Sequence, residues 1–394
     1  MKTSPTTAAA IELFLSGEQV SKDEIDRRLR PAQRIGPESA VLQTVQAIQL
    51  SRPRLVHSTR ESACLTAVQV ESEGGIAGVV YVQETADGRL EGLRLTTPVP
   101  RIRDAEELRM ALSAVAGTVS VLSRDGGIVA RSGPNVIAGS SLMKLFILDA
   151  TLAAVESRAL SLATECVIRQ SDISYLSSGL TAAHVGKSIS VGDLCSLLTL
   201  RSDNTAADLF LRILGSEKIL ATAEFHGVPR TLNTPLLSTR EYFLRAWGRG
   251  MESVAEHSVV DSHLRERALK CIRYTDGLDY FITLESIDNV MRRLSERSWT
   301  PWHVENHPEG APIMQFKGGS APGVLAGSWL IVGPDSARGL TFCLNGDRPF
   351  GAIEEVYAFS CAEALLSKEA VLTGDAVLVT GEALHDDETE GIGC

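Results

Sequence analysis

The sequence predicts an α+β chain of two domains, a small N-terminal one over 1–98 and a larger one over 101–368, with an extension over 369–394. Three observations carry this. Helical patterning followed by alternating strand segments fills the first 98 residues. Pro98 and Pro100 punctuate the chain at the join. Beyond them, strand-like segments stand at both ends of a long helical stretch.

The elements follow in order. Apolar residues recur at helical spacing over 8–14, 22–29 and 40–50. Alternating segments at 63–70, 78–83 and 92–97 read as strands, and Ala86-Asp-Gly-Arg89 before the last is a hairpin signal. This front unit carries no catalytic constellation, so packing, dimerisation or a lid role is expected of it. In the larger unit, 105–116 reads as a helix, and 117–122 with 128–131 as a hairpin turning at Asp125-Gly-Gly127. An apolar helix follows, then a helical region to about 297. The polar, proline-containing stretch 299–310 is expected to be a loop over the cleft. Strands around Lys317, at 325–332 and at 340–344 come next, and a helix over 353–366 closes the unit.

At 394 residues the chain is long enough for two domains. A hydrophobic content of 44% and a charged content of 22% describe a soluble globular protein. The net charge of −11, without a basic stripe, argues against a nucleic-acid partner. Part of that charge sits in the acidic tail 385–390, expected to be solvated. The N-terminal apolar stretch is short and interrupted by Glu12, unlike a signal peptide, and no stretch is long enough to span a membrane. The expected location is the cytoplasm, the expected partner a small-molecule substrate, and a homo-oligomer stays open. The seven cysteines are scattered, odd in number and without a Cys-x-x-Cys pair, as reduced thiols would be. Cys195 falls on an apolar helix stripe and reads as core. The spacing of His303 and His307 suits no common zinc motif, so neither metal nor cofactor is expected.

The chemistry-bearing stretch is Ser141-Leu-Met-Lys144, a Ser-x-x-Lys motif opening an apolar helical run. Positions i and i+3 share a helix face, so the Lys144 amine can approach the Ser141 hydroxyl. A serine hydroxyl is a weak nucleophile near neutrality. An amine whose pKa is lowered by burial and nearby cations can take its proton. Alone the motif is common, and it reads equally as a first-turn serine beside a surface lysine. The apolar flank Leu145-Phe-Ile-Leu148 argues instead for a buried lysine. Two companions follow. Ser202-Asp-Asn204 sits in a polar break between two helices, the first of them opened by Ser190 as N-cap with Asp193 three residues on. On its own the triplet is an ordinary loop and cap. Lys317-Gly-Gly-Ser320 reads as a strand whose cation and glycines line a cleft, or as a plain turn.

Together, in this order, the three motifs resemble the penicillin-recognising serine enzymes, the class A β-lactamases and related DD-peptidases, over about 101–368. The resemblance implies an antiparallel sheet with a helical lobe and the site in the cleft between them. It makes Ser141 the acylated nucleophile and Lys144 the general base. Ser202 would pass a proton to the leaving group, and Asn204 would hold Lys144 and substrate. Lys317 would anchor a substrate carboxylate, and the N–H groups of Ser141 and Ser320 would form an oxyanion hole. Gly319 and Ser320 would touch substrate. Tyr175 either walls the cleft or simply packs. Ser140, adjacent and four positions from Lys144, is a rival nucleophile; the family register favours Ser141, and Ser140 is read as the N-cap.

Two departures stand out. Gly318 replaces the usual hydroxyl residue of the third motif, and Ser320 is a possible substitute. In Pro229-Arg-Thr-Leu-Asn233 the position three before Leu232 is Pro229, where class A enzymes carry the glutamate that activates the deacylating water. Glu241 is near in sequence but reads as part of the next helix. The expectation is a serine hydrolase or acyltransferase acting on a β-lactam-like, ester or amide metabolite of specialised metabolism. The alternatives are an amide- or lactam-forming enzyme, a self-protection protein that acylates without turnover, and a docking pseudoenzyme. A small front domain ahead of a class A-like domain also resembles the β-lactamase-like proteins encoded in clavulanic acid gene clusters. That resemblance implies a steroid-isomerase-like, cystatin-like shape for 1–98.

Overall fold

The computed structural model describes residues 4–17, 20–31, 38–125, 127–247, 271–303, 313–333 and 337–367. The acidic tail, the extension 369–394 and His307 lie outside these, as does 304–310 of the expected cleft loop.

The chain begins with three helices, α1 (Pro5–Leu15), α2 (Lys22–Leu29) and α3 (Glu38–Leu50). Ser4 and Ser21 cap the first two through their side chains. A four-stranded antiparallel sheet follows in the order β1 (Arg54–Arg60), β2 (Leu65–Glu71), β3 (Ala77–Glu84) and β4 (Leu90–Thr96). Three strands were expected here. The fourth, β1, is an exposed edge strand whose residues are polar or solvent-facing, so it lacks the apolar alternation that marks a buried strand.

After α4 (Ala105–Leu112) come β5 (Thr118–Asp125), β6 (Ile128–Ser132) and the short β7 (Val136–Ala138). A 3-10 turn over Ser140–Met143 leads into α5 (Lys144–Glu156). The region to 297 holds α6 (Val191–Leu200), α7 (Asn204–Leu214), α8 (Ser216–Phe225), α9 (Thr239–Trp247) and α10 (Leu284–Ser295). It is not wholly helical. It also contains the short strands β8 (Glu165–Val167), β9 (Ser188–Ser190) and β10 (Phe281–Thr283), and β10 pairs with β7. Then β11 (Ile313–Ala321), β12 (Val324–Val332) and β13 (Ala337–Asn345) complete a five-stranded sheet in the order β11-β12-β13-β5-β6, and α11 (Ala352–Leu366) closes the described chain.

This sheet is apolar on both faces because successive residues alternate sides. Trp329, Leu340, Phe342 and Leu344 face one core, which continues through Ile353 and Val356 of α11 to Val80 and Leu95 of the front sheet and Leu13 and Phe14 of α1. Ala326, Leu330 and Cys343 face the other, built on Leu145, Phe146 and Leu148 of α5 and the helices around it. Burying a Leu or Phe side chain contributes about 1.5–3 kcal/mol, so these cores dominate the folding energy. A polar clamp ties the front helices to α11. Ser51 Oγ donates to Glu354 at 2.6 Å and accepts from the Ile353 N–H at 3.0 Å, and Arg348 donates to the other Glu354 oxygen at 3.0 Å.

Candidate active site

Two anchors fix the turn that carries Ser141. Asn345, at the end of β13, exchanges two hydrogen bonds of 3.1 Å with the Ala138 backbone. Asp279 accepts from the Ser140 N–H at 2.8 Å. Ser140 has a left-handed φ of 48° and lies inside the 3-10 turn, so it is not the expected N-cap. Its hydroxyl donates instead to the Ser320 carbonyl at 2.8 Å. The turn thereby docks on β11, and the contact depends on Gly319. A Cβ there would stand 2.5 Å from the Gly139 carbonyl oxygen and 3.2 Å from the N–H nitrogens of Ser141 and Leu142.

Lys144 opens α5 and is 4% exposed. Its amine donates to Asn204 Oδ1 at 2.7 Å, to Ser202 Oγ at 3.2 Å and to the Ser202 carbonyl. The expected approach of Lys144 toward Ser141 thus ends on Ser202 and Asn204. Burial pulls the Lys144 pKa down from its ordinary value to about 8, against the opposing charges of Asp203 and Asp208. Such an amine is partly neutral near pH 7, as a proton acceptor must be.

The second motif sits where sequence placed it, between α6 and α7. Ser190 caps α6 by accepting from the Asp193 N–H at 3.1 Å. Asp203 caps α7 through the Ala206 N–H at 2.7 Å and with its other oxygen accepts from Gly179 and Leu180. Ser202, at the break, takes a φ of 52°. Non-glycine residues held in that region cost on the order of 1–3 kcal/mol and persist where their surroundings over-determine them. Three of the six described non-glycine residues with positive φ, Ser140, Leu176 and Ser202, line one cavity.

Lys317, on β11 and 2% exposed, donates to Ser202 Oγ at 2.8 Å and to the Gly318 carbonyl at 2.6 Å. Burial, and then the charge of Lys144, push its pKa well below the ordinary lysine value. Ser320 supplies its carbonyl to Ser140 and lines the cavity with its neighbours Ala321 and Pro322. Tyr175 packs rather than walls the cleft. Its ring is buried edge-on to Phe243 and under the Arg240 guanidinium, 5.5 Å from the centroid. Its carbonyl holds Asn204 Nδ2 at 2.9 Å, and Leu176 and Ser178 form the cavity wall there.

The cavity measures about 350 Å³. Three carboxyls in its lining, Asp208, Asp279 and Glu355, were not singled out from sequence. Asp208 is on the face of α7 shared with Asn204, a signal helical spacing offered. Both its oxygens are taken, by the N–H and hydroxyl of Thr239 and by the Arg240 N–H, and burial raises its pKa to about 6. Burial also raises Asp279, to about 7. Glu241 is exposed and is not part of the cavity lining; it accepts from the Ser238 N–H at 2.9 Å, closing a capping box at the start of α9. Asn233 clamps Phe281 through bonds of 2.7 and 2.8 Å, and no glutamate stands at Pro229. Cys195 is fully buried, which raises its thiol pKa. Among the described residues, no group of three or more His, Cys, Asp or Glu side chains converges as a metal site would require.

No curated protein matches this chain. Among solved structures, a beta-lactamase from Sphaerobacter thermophilus is similar at 19% identity, with 67% of this chain and 96% of that one covered and a TM-score of 0.42. A variant of the last common ancestor of Gram-negative class A beta-lactamases shows 17% identity over 67% and 97% of the two chains, with a TM-score of 0.47. The structure of PBP-A shows 16% over 69% and 99%, with a TM-score of 0.40. Residues 104–283 match the model of the beta-lactamase enzyme family, a stretch that includes Ser141, Lys144, Ser202 and Asn204 and ends before Lys317.

Proposed function

We propose that this chain is a serine acyl-enzyme of the β-lactamase-like kind, with Ser141 as nucleophile. The observation that carries the reading is the meeting of two buried lysines on the Ser202 hydroxyl, with Ser141, Lys144 and Ser202 lining one cavity. Ser141 Oγ attacks an acyl carbonyl and its proton passes to neutral Lys144. The carbonyl oxygen takes the negative charge, facing the Ser141 and Ser320 N–H groups. The tetrahedral adduct collapses as Ser202 gives its proton to the leaving group. Ser202 regains a proton from Lys144, so the charges balance. Lys317 supplies positive potential for a substrate carboxylate. Asn204 fixes Lys144, and Gly319 lets the strand approach the turn.

Deacylation is the distinguishing step. With Pro229 at the glutamate position and Glu241 committed to its own helix cap, attack by water lacks a positioned base and is slow. This supports acyl transfer to a non-water acceptor, or hydrolysis of activated esters, on a β-lactam-like, ester or amide metabolite of specialised metabolism. The same observation favours a second reading, a self-protection protein that acylates and stalls. The reading extends to a cytoplasmic, cofactor-independent protein acting on small molecules. It takes 1–98 as a front domain of steroid-isomerase-like shape and the clavulanic-cluster proteins as kin. Among the described residues, no helix is long and apolar enough to cross a membrane.

Intact-protein mass spectrometry over time tests this, with a penicillin, an acetoxy-bearing cephalosporin and an activated aryl ester, and Ser141→Ala as control. A lasting adduct on Ser141 is expected. Equal labelling of the Ser141→Ala variant would overturn the assignment.

A further inference from the structure

The cavity does not end at the Ser141 turn. Past the tip of β11 it runs along Pro322 and Val324 to a second region lined by Pro349, Phe350, Leu50 of α3 and Glu355 of α11. The front helices therefore supply part of the wall of the cleft that holds Ser141. They reach it because the Ser51 clamp fixes the end of α3 against the start of α11. In this otherwise apolar region Glu355 is half-buried, and among the described residues its carboxylate has no hydrogen-bond or ion-pair partner. Its neighbour Glu354 is different: fully buried, it is satisfied by Ser51, Arg348 and the Gly351 N–H. A carboxylate held among apolar groups is unfavourable as the anion unless something pairs with it.

Resting on the acyl-enzyme reading, we propose that Glu355 is the recognition group of a distal subsite, and that the substrate's acyl chain ends there in a protonated amine. Leu50, Phe350 and Val324 would cover the methylenes of that chain, while Glu355 takes the ammonium in a charge-assisted hydrogen bond. The substrate class is thus an amine-bearing acyl ester, amide or lactam. Burial, and then the charge of Glu354, lift the Glu355 carboxyl to about 7. The residues that share this part of the cavity lining with it, Leu50, Val324 and Phe350, carry no charge, and Arg348 is engaged by Glu354. Preference for an ammonium should then fade as pH falls below about 7 and Glu355 gains its proton.

The test uses two activated esters of equal chain length, p-nitrophenyl 6-aminohexanoate and p-nitrophenyl heptanoate. It reads p-nitrophenolate release and the Ser141 adduct on the full chain. The expected result is a kcat/KM for the amino ester about tenfold above that of its neutral partner at pH 8. Glu355→Gln should bring the ratio near one, and Glu355→Asp should restore part of it. Equal rates in the wild type, or a preference surviving in Glu355→Gln, would overturn the subsite while leaving the acyl-enzyme intact. Failure of both esters to label Ser141 in the wild type would overturn the acyl-enzyme reading and the subsite with it. A Glu355→Gln protein that does not fold is replaced by the pH series, where a ratio constant from pH 6 to 8 overturns the subsite.

Discussion

Lys144 and Lys317 reach the same oxygen, Ser202 Oγ, at 3.2 and 2.8 Å. A hydroxyl oxygen accepts two hydrogen bonds and keeps one hydrogen to donate. With both acceptor positions filled by amines, the Ser202 hydrogen is left to point elsewhere, and the cavity it lines is where a leaving group would sit. The strained φ of Ser202 is the backbone conformation that brings the hydroxyl between the two lysines.

The pH dependence of acylation follows from Lys144. Its pKa is about 8, and only the neutral amine accepts the Ser141 proton. Acylation should rise with pH through about 8 and then level off, as read by stopped-flow release of an aryl leaving group. Lys144→Ala should lower the rate by about 10²–10⁴-fold.

The choice between adjacent serines can be decided by mass. Both serines line the cavity, but Ser140 Oγ is committed to the Ser320 carbonyl and Ser140 is 9% exposed, whereas Ser141 is half-buried. Ser141→Ala should abolish the adduct while thermal unfolding stays cooperative. Ser140→Ala should keep the adduct on Ser141, formed more slowly because the turn loses a hydrogen bond to β11.

Gly319 is expected to tolerate no side chain. In Gly319→Ala the new methyl meets backbone, not a flexible side chain, so β11 and the nucleophile turn must part. Overpacking of this kind costs about 1–3 kcal/mol. A shifted urea midpoint together with lost labelling of Ser141 would be the result, and an alanine variant with wild-type labelling would contradict the docking role.

A buried cluster behind α5 sets part of the acid stability. Asp149, 2% exposed, pairs with His226 Nε2 at 2.9 Å and with Arg297. Burial pushes its carboxyl up, yet the hydrogen bonds and charges of His226 and Arg297 leave it below the ordinary value. A group with a depressed folded pKa stabilises above its unfolded pKa, near 4, and that stability is lost as pH falls through the folded value. Asp149→Ala should cost about 3–5 kcal/mol near neutrality by urea denaturation. The difference from wild type should shrink below about pH 4.

Much of the fold and the core of the site were legible because their signals are local. The Ser141–Lys144 spacing, the Ser190 and Asp203 caps and the apolar run of α5 each report on a few neighbouring residues. β1 escaped because its exposed surface erases the alternation a strand otherwise shows. Ser140 was misread as a cap because sequence does not reveal that β11 would offer it a carbonyl 180 residues away. Of the lysine contacts, the hold of Asn204 on Lys144 was implied by the family resemblance, while the meeting of Lys144 and Lys317 on Ser202 depends on where the α6–α7 break lands. Leu50 and Glu355 were out of reach altogether, since their shared cavity exists only after the front helices and the last helix are assembled.

The Ser51–Glu354 clamp gives the chain an unusual grammar. Its opening and closing segments are spelled as one word, since α11 reads Ser51 through Glu354 and the Ile353 N–H while both segments share an apolar core. Recombination that exchanged the front of this chain for another module would take the Ser51 hydroxyl from a buried carboxylate and strip one wall from the cleft in the same event. Substitutions that adapt the cleft to a new acyl chain can therefore arise at Leu50, far upstream of both Lys144 and Lys317, in a helix that carries no chemistry of its own.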